Sequence, residues 1–190
     1  MHEELSGYLQ QTEAAKREAA AVLAGLTDAQ LNWRPGPDRW SIGQCLDHLN
    51  VTVRKTLPAF DRAIAAARDR SHVAPGPFRY GWFARWMVSS MEPPVKRRQG
   101  TFKILVPTQQ QVSLAPTLAE FRSLRDQLAE RVRSADGLDL RRARVTSPVM
   151  RLLRLPLGAY FAFVLAHDRR HLLQARNVRG APEFPGGPVQ

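Results

Sequence analysis

The stretch LGAYFAFVLAHDRRHLLQARNV, residues Leu157 to Val178, decides the fold. It is long, largely apolar and free of Pro and Gly after Gly158, which predicts a helix. His167 and His171 are one helical turn apart, so both imidazoles fall on one face. Tyr160 and Phe163 extend that face backwards, and Gln174 and Val178 extend it forwards. Asp168, Arg169, Arg170 and Arg176 are expected at the edge of the stripe or off it. The result is a core-facing stripe that carries two good metal ligands.

Three further long helices are expected. An Ala-rich run from Glu3 to about Leu26 keeps an apolar stripe through Leu5, Tyr8, Ala15, Val22 and Leu23. Thr27 then offers an N-cap for a short helical turn. After the turn-rich Trp33-Arg34-Pro35-Gly36-Pro37 connection, Ser41 and Gln44 form a capping box. The helix they open is expected from Ile42 to about Arg70, with Pro58 bending or breaking it. His48 lies near its start, with Cys45 and Thr52 on the same face. Residues 116–135 give the next helix, with Pro116 in its first turn. Between them, residues 71–115 form a Pro-divided insert with a short aromatic helix in Arg79 to Met91 and an extended run in Phe102 to Val106. That aromatic helix is expected to pack across the bundle or line a pocket mouth. No convincing sheet is expected, and Val149 to Leu155 reads as an apolar turn. The pattern predicts an all-α four-helix bundle with a long crossover between the second and third long helices. One domain spans 1–190, with a loose Pro/Gly-rich tail over about 180–190.

The composition restricts the setting. No run of about 18 apolar residues occurs, so no transmembrane helix and no membrane partner are expected. The single cysteine, Cys45, cannot form an internal disulfide, and the start lacks an apolar signal region. Both fit a cytoplasmic protein. The net charge is +11, with basic clusters at Lys96-Arg97-Arg98 and Arg141-Arg142-Ala143-Arg144. The arginines read as scattered over solvated helical faces, which argues against nucleic acid as a partner.

Two stretches together resemble a known family. Trp33-Arg34-Pro35, Arg39-Trp40-Ser41-Ile42-Gly43-Gln44 and Asp47-His48-Leu49 are similar to the "WxP…WS…HL" signature of the DinB-like superfamily. His167-Asp168-Arg169-Arg170-His171 with Gln174 resembles that family's C-terminal "HxxxH..Q" helix. The resemblance implies a four-helix bundle, a homodimer, and a divalent metal held by His48, His167 and His171. Relatives include S-transferases that use bacillithiol or mycothiol, and a mycothiol-dependent maleylpyruvate isomerase. It therefore implies a small-molecule thiol and an electrophilic substrate as partners.

Three neutral imidazoles suit Zn²⁺ or Ni²⁺, with Fe²⁺ and Mn²⁺ as further candidates. Only three protein ligands leave one position open, the pattern of a catalytic site. Asp168 and Gln174 are the candidates to orient imidazoles or waters. Asp168 is also the one visible general base for a hydrolytic alternative. Cys45 reads as a small buried packing residue. Trp33, Pro35 and Trp40 read as residues that fix the helix connection. Two functions follow: a metal-dependent thiol S-transferase, or a non-enzymatic basic helical module for nucleic acid or an anionic ligand.

Overall fold

The computed structural model describes residues 1–94, 105–107, 111–150 and 152–186. The Lys96-Arg97-Arg98 cluster, most of the expected extended run in Phe102 to Val106, and the last residues of the tail lie outside these. Among the described residues the elements are α1 (Glu3–Leu23), α2 (Asp28–Asn32), α3 (Ile42–Asp69), α4 (Trp82–Met91), α5 (Leu114–Ser134), β1 (Arg144–Thr146), β2 (Arg154–Pro156) and α6 (Leu157–Arg179). The chain is thus all-α apart from one small hairpin.

The caps form as the sequence implies. Gln44 N–H donates to Ser41 Oγ and Ser41 N–H donates to Gln44 Oε1, closing a capping box at the start of α3. Thr27 and Gln30 form the same motif at α2. Pro58 neither ends nor divides α3, which runs on to Asp69. Pro58 is exposed, so water can satisfy the carbonyl that loses its N–H partner. The expected apolar turn before α6 is instead an antiparallel ribbon pairing Arg144 with Pro156 and Thr146 with Arg154. Strands this short carry too little alternation to be seen in a sequence.

Helix α1 packs on α5 and α6, and α3 packs on the same two, so α1 faces α3 across the bundle. Side-chain pairs fix the directions. Asn50 reaches Thr117 and Arg68 reaches Ser134, so α3 and α5 run parallel. Tyr8 packs near Phe161 and Glu18 pairs with Arg176, so α1 and α6 are parallel as well. Phe60 stacks on Phe161 while His48 meets His171, so α3 and α6 are antiparallel. Adjacent parallel helices cannot be joined by a tight turn, which is why the long segment between α3 and α5 is a crossover.

The core has two apolar parts. One is centred on Phe60, Leu128, Leu157 and Phe161, and the other on Ile42, Leu46, Phe121 and Leu172. The Phe60 and Phe161 rings stack at 4.5 Å, and burying each stabilises the fold by about 1.5–3 kcal/mol. Buried polar residues lie where the two parts meet: His48 and Asn50 on α3, Arg125 on α5, Asp168 and His171 on α6. This polar layer positions the site. No helix among the described residues is long and apolar enough to cross a membrane.

Candidate metal centre

Helix α3 supplies His48 from its second turn, and α6 supplies His167 and His171 from its middle. Their ligand atoms all lie within 4.8 Å of one another. His48 Nε2 is 3.1 Å from His167 Nε2, and the three ring centroids are 4.6–4.9 Å apart. Residues 119 apart in the chain therefore converge on one point. His48 and His171 are buried and His167 is half-buried.

The outer nitrogens set the tautomers. His48 Nδ1 lies 2.6 Å from the carbonyl oxygen of Leu105. A carbonyl only accepts, so Nδ1 carries the proton and Nε2 keeps its lone pair. His171 Nδ1 lies 2.9 Å from Gln174 Oε1, which fixes the same tautomer there. Trp40 covers one side, its ring 4.9 Å from His48 and 5.6 Å from His171. Phe163 lies parallel to His167 on another side, at 6.5 Å.

All three imidazoles are held neutral. Burial pushes His171 down to about 3 and drives His167 well below the ordinary histidine range, the neighbouring rings and nearby arginines adding to the effect. Burial also lowers His48, against the opposing pull of the Leu105 carbonyl. Neutral rings, with inward lone pairs on His48 and His171, form the kind of donor set that a divalent cation requires. The 3.1 Å separation of two Nε2 atoms is close to the roughly 3.3 Å edge of a tetrahedron with 2.0–2.1 Å bonds. These three histidines fit a metal ion.

Asp168 does not stand at the stripe's edge, nor does it meet an imidazole. It is 1% exposed and accepts two hydrogen bonds from Arg125, at 2.5 and 3.1 Å. Arg125 is fully buried, lies over the Phe121 ring and reaches Asn50. A carboxylate this deep has to be paired, and its partner sits on another helix, invisible to the α6 pattern. Gln174, by contrast, touches His171 directly. Cys45 is buried among apolar side chains and is not part of the histidine group; burial pushes its thiol far up. Sequence reasoning missed Leu105, whose main chain does the work, and undervalued Trp40. The nearness of Trp40 to His48 in the motif was the available signal.

A family model matches residues 11–175, a span that includes Trp40 and all three histidines. The chain belongs to the DinB superfamily. Among curated proteins, this DinB superfamily member is similar to "Uncharacterized protein YuaE" of Bacillus subtilis (strain 168). The two are 24% identical over 178 residues, covering 87% of this chain and 93% of that one. No solved structure matches significantly. The three histidines could thus hold a metal in a DinB superfamily bundle, and among the described residues no fourth His, Cys, Asp or Glu joins the group.

Proposed function

We propose that this protein is a metal-dependent S-transferase that joins a low-molecular-weight thiol to an electrophilic small molecule. One observation carries the reading: three inward-facing, uncharged imidazoles with only protein carbonyl oxygens on the outer nitrogens of His48 and His171. His48, His167 and His171 would hold the ion, with Zn²⁺ or Ni²⁺ the best match to an all-nitrogen set. When bound, it would keep a thiol sulfur deprotonated at neutral pH, supplying the nucleophile.

The chain's own groups do the rest. Leu105 and Gln174 hold the rings in place. Trp40 and Phe163 wall the site with aromatic carbon and keep water from its sides. Arg170 donates to the Ser90 carbonyl at 3.1 Å, and its charge bears on His167 and His171. A cation there favours an anionic thiolate over a neutral thiol. A hydrolytic reading is weaker, because Arg125 occupies the carboxylate of Asp168, the base that reading relied on. The reading carries with it the homodimer and the cytoplasmic setting expected from the sequence, a compartment where small thiols stay reduced.

The test is an assay of metal-loaded protein with a panel of small thiols and a model electrophile. Adduct formation that disappears in His48→Ala and on chelation supports the proposal. No rate above that of the chelated protein with any thiol overturns it.

A further inference from the structure

Counted along the chain, the surplus positive charge falls in two segments. Residues 70–119 hold seven Lys or Arg against one acid, Glu92, and residues 140–167 hold five Arg against none. The remainder of the chain is electrically balanced, so these two stretches carry the whole excess. In the described part of them Arg79, Arg85, Arg141, Arg142, Arg144 and Arg154 are exposed. Among the described residues none of the six makes an ion pair.

The same segments present large apolar side chains to solvent. On α4, Trp82 is 74% exposed, Trp86 56% and Phe83 41%, and Ala84 is the one fully buried residue of that helix. The expected packing of this aromatic helix into the bundle is thus reversed: its small residue faces α6 and its rings face out. Neighbouring rings lie 5.9 Å apart, so they form one patch. At the hairpin turn Leu152 is 98% exposed and Met150 44%. The start of α4 and the base of the hairpin lie at the same end of α6, and α4 then runs along α6 until Ser90 and Glu92 meet Arg170 and Arg169. Tyr80, just before α4, packs so tightly on Gly158 that an added Cβ there would lie 1.8 Å from its hydroxyl. Strand β2 runs directly into α6 at Leu157.

We propose that this face, α4 together with the β1–β2 turn, docks peripherally on an anionic phospholipid membrane. Tryptophans beside arginines suit the boundary between headgroups and acyl chains, with the rings at headgroup level and the guanidinium groups on lipid phosphates. Isolated exposed apolar residues need no explanation, but α4 and the hairpin turn together expose five large ones, on segments that also carry six exposed arginines without an ion pair among the described residues. The occupant follows from charge and chemistry. A second copy would bring the same +11 charge against it. A nucleic acid would use the arginines and rings but gains little from Leu152 and Met150, which cannot stack on bases. Acyl chains use both.

The test is co-sedimentation of the full chain with phosphatidylcholine vesicles, with and without phosphatidylserine. Binding only to the phosphatidylserine vesicles, weakened by salt, is expected. Trp82→Ser/Trp86→Ser, Leu152→Asp and Arg79→Glu/Arg144→Glu should each weaken it roughly tenfold or more. All replace exposed residues, and an unchanged circular dichroism spectrum checks the fold of each. The proposal is overturned by equal binding to neutral vesicles, by no binding, or by variants that sediment like the parent chain. It is also overturned if duplex or single-stranded DNA binds while vesicles do not, or if the same variants abolish a dimer that ignores vesicles.

Discussion

The Nδ1 atom of His48 sits 2.6 Å from the carbonyl oxygen of Leu105, so the α3 histidine is oriented by the main chain of the α4–α5 connection. The contact uses no part of the leucine side chain. Leu105→Ala is therefore expected to keep metal content within about twofold of the parent protein. His48→Ala and His171→Ala should lose it. Elemental analysis of protein prepared without chelator measures this, and equal metal in all four proteins would remove the site.

Gln174 holds His171 through an amide oxygen at 2.9 Å. Gln174→Leu removes that acceptor without touching a ligand, and metal affinity should fall by about 10–100-fold. Gln174→Glu, which still accepts, should retain most of it. Competition with a chromogenic chelator gives the ratio.

The Arg125–Asp168 pair lies at 0% and 1% exposure. Asp168→Leu strands a guanidinium in the core and should cost about 3–5 kcal/mol in urea unfolding. Arg125→Met/Asp168→Leu removes both charges and should recover most of that loss. A double variant no more stable than the single would show that the pair's geometry, and not its stranded charge, matters.

Acid should destabilise the metal-free protein in a defined window. The unfolded chain takes up protons on these histidines near pH 6.5, whereas the folded chain resists, His171 until about pH 3. Between those limits the unfolded state binds more protons, so stability is full above about pH 6.5 and falls as pH drops toward 3. Protonation opposes metal binding in the same direction. Thermal melts from pH 7.5 to 4 should show a slope that flattens in His48→Leu/His171→Leu.

Gly43, in the first turn of α3, has no room for a side chain. An added Cβ would lie 2.5 Å from Val112 Cγ2 and 3.2 Å from Leu31 Cγ. Gly43→Ala should cost about 1–3 kcal/mol, and adding Val112→Ala should return part of it. Chemical denaturation of the two variants measures the coupling.

What could be read without coordinates was whatever repeats along one element. The stripe through His167, His171 and Gln174 shows α6 directly, and Ser41 with Gln44 marks where α3 starts. Partners supplied by distant elements could not be read. Asp168 looks like a group that could orient an imidazole until Arg125 arrives from α5. Pro58 looks like a break until it proves to face water. Trp40 looks like a connector until the two ligand-bearing helices close beneath it. The charge surplus was countable from the first residue, but its meaning depended on Tyr80 meeting Gly158, which brings the start of α4 and the base of the hairpin to one end of α6.

The long chain separation between His48 and His167 has a consequence during synthesis. A growing polypeptide has the α3 ligand outside the ribosome well before the final helix emerges. Until then only one of the three candidate ligands, His48, is present, and the three-histidine cage does not exist. An ion held by these three rings would be captured only once the last segment docks, and it would then act as a clasp on the contact formed latest, after the loop-closure entropy has been spent.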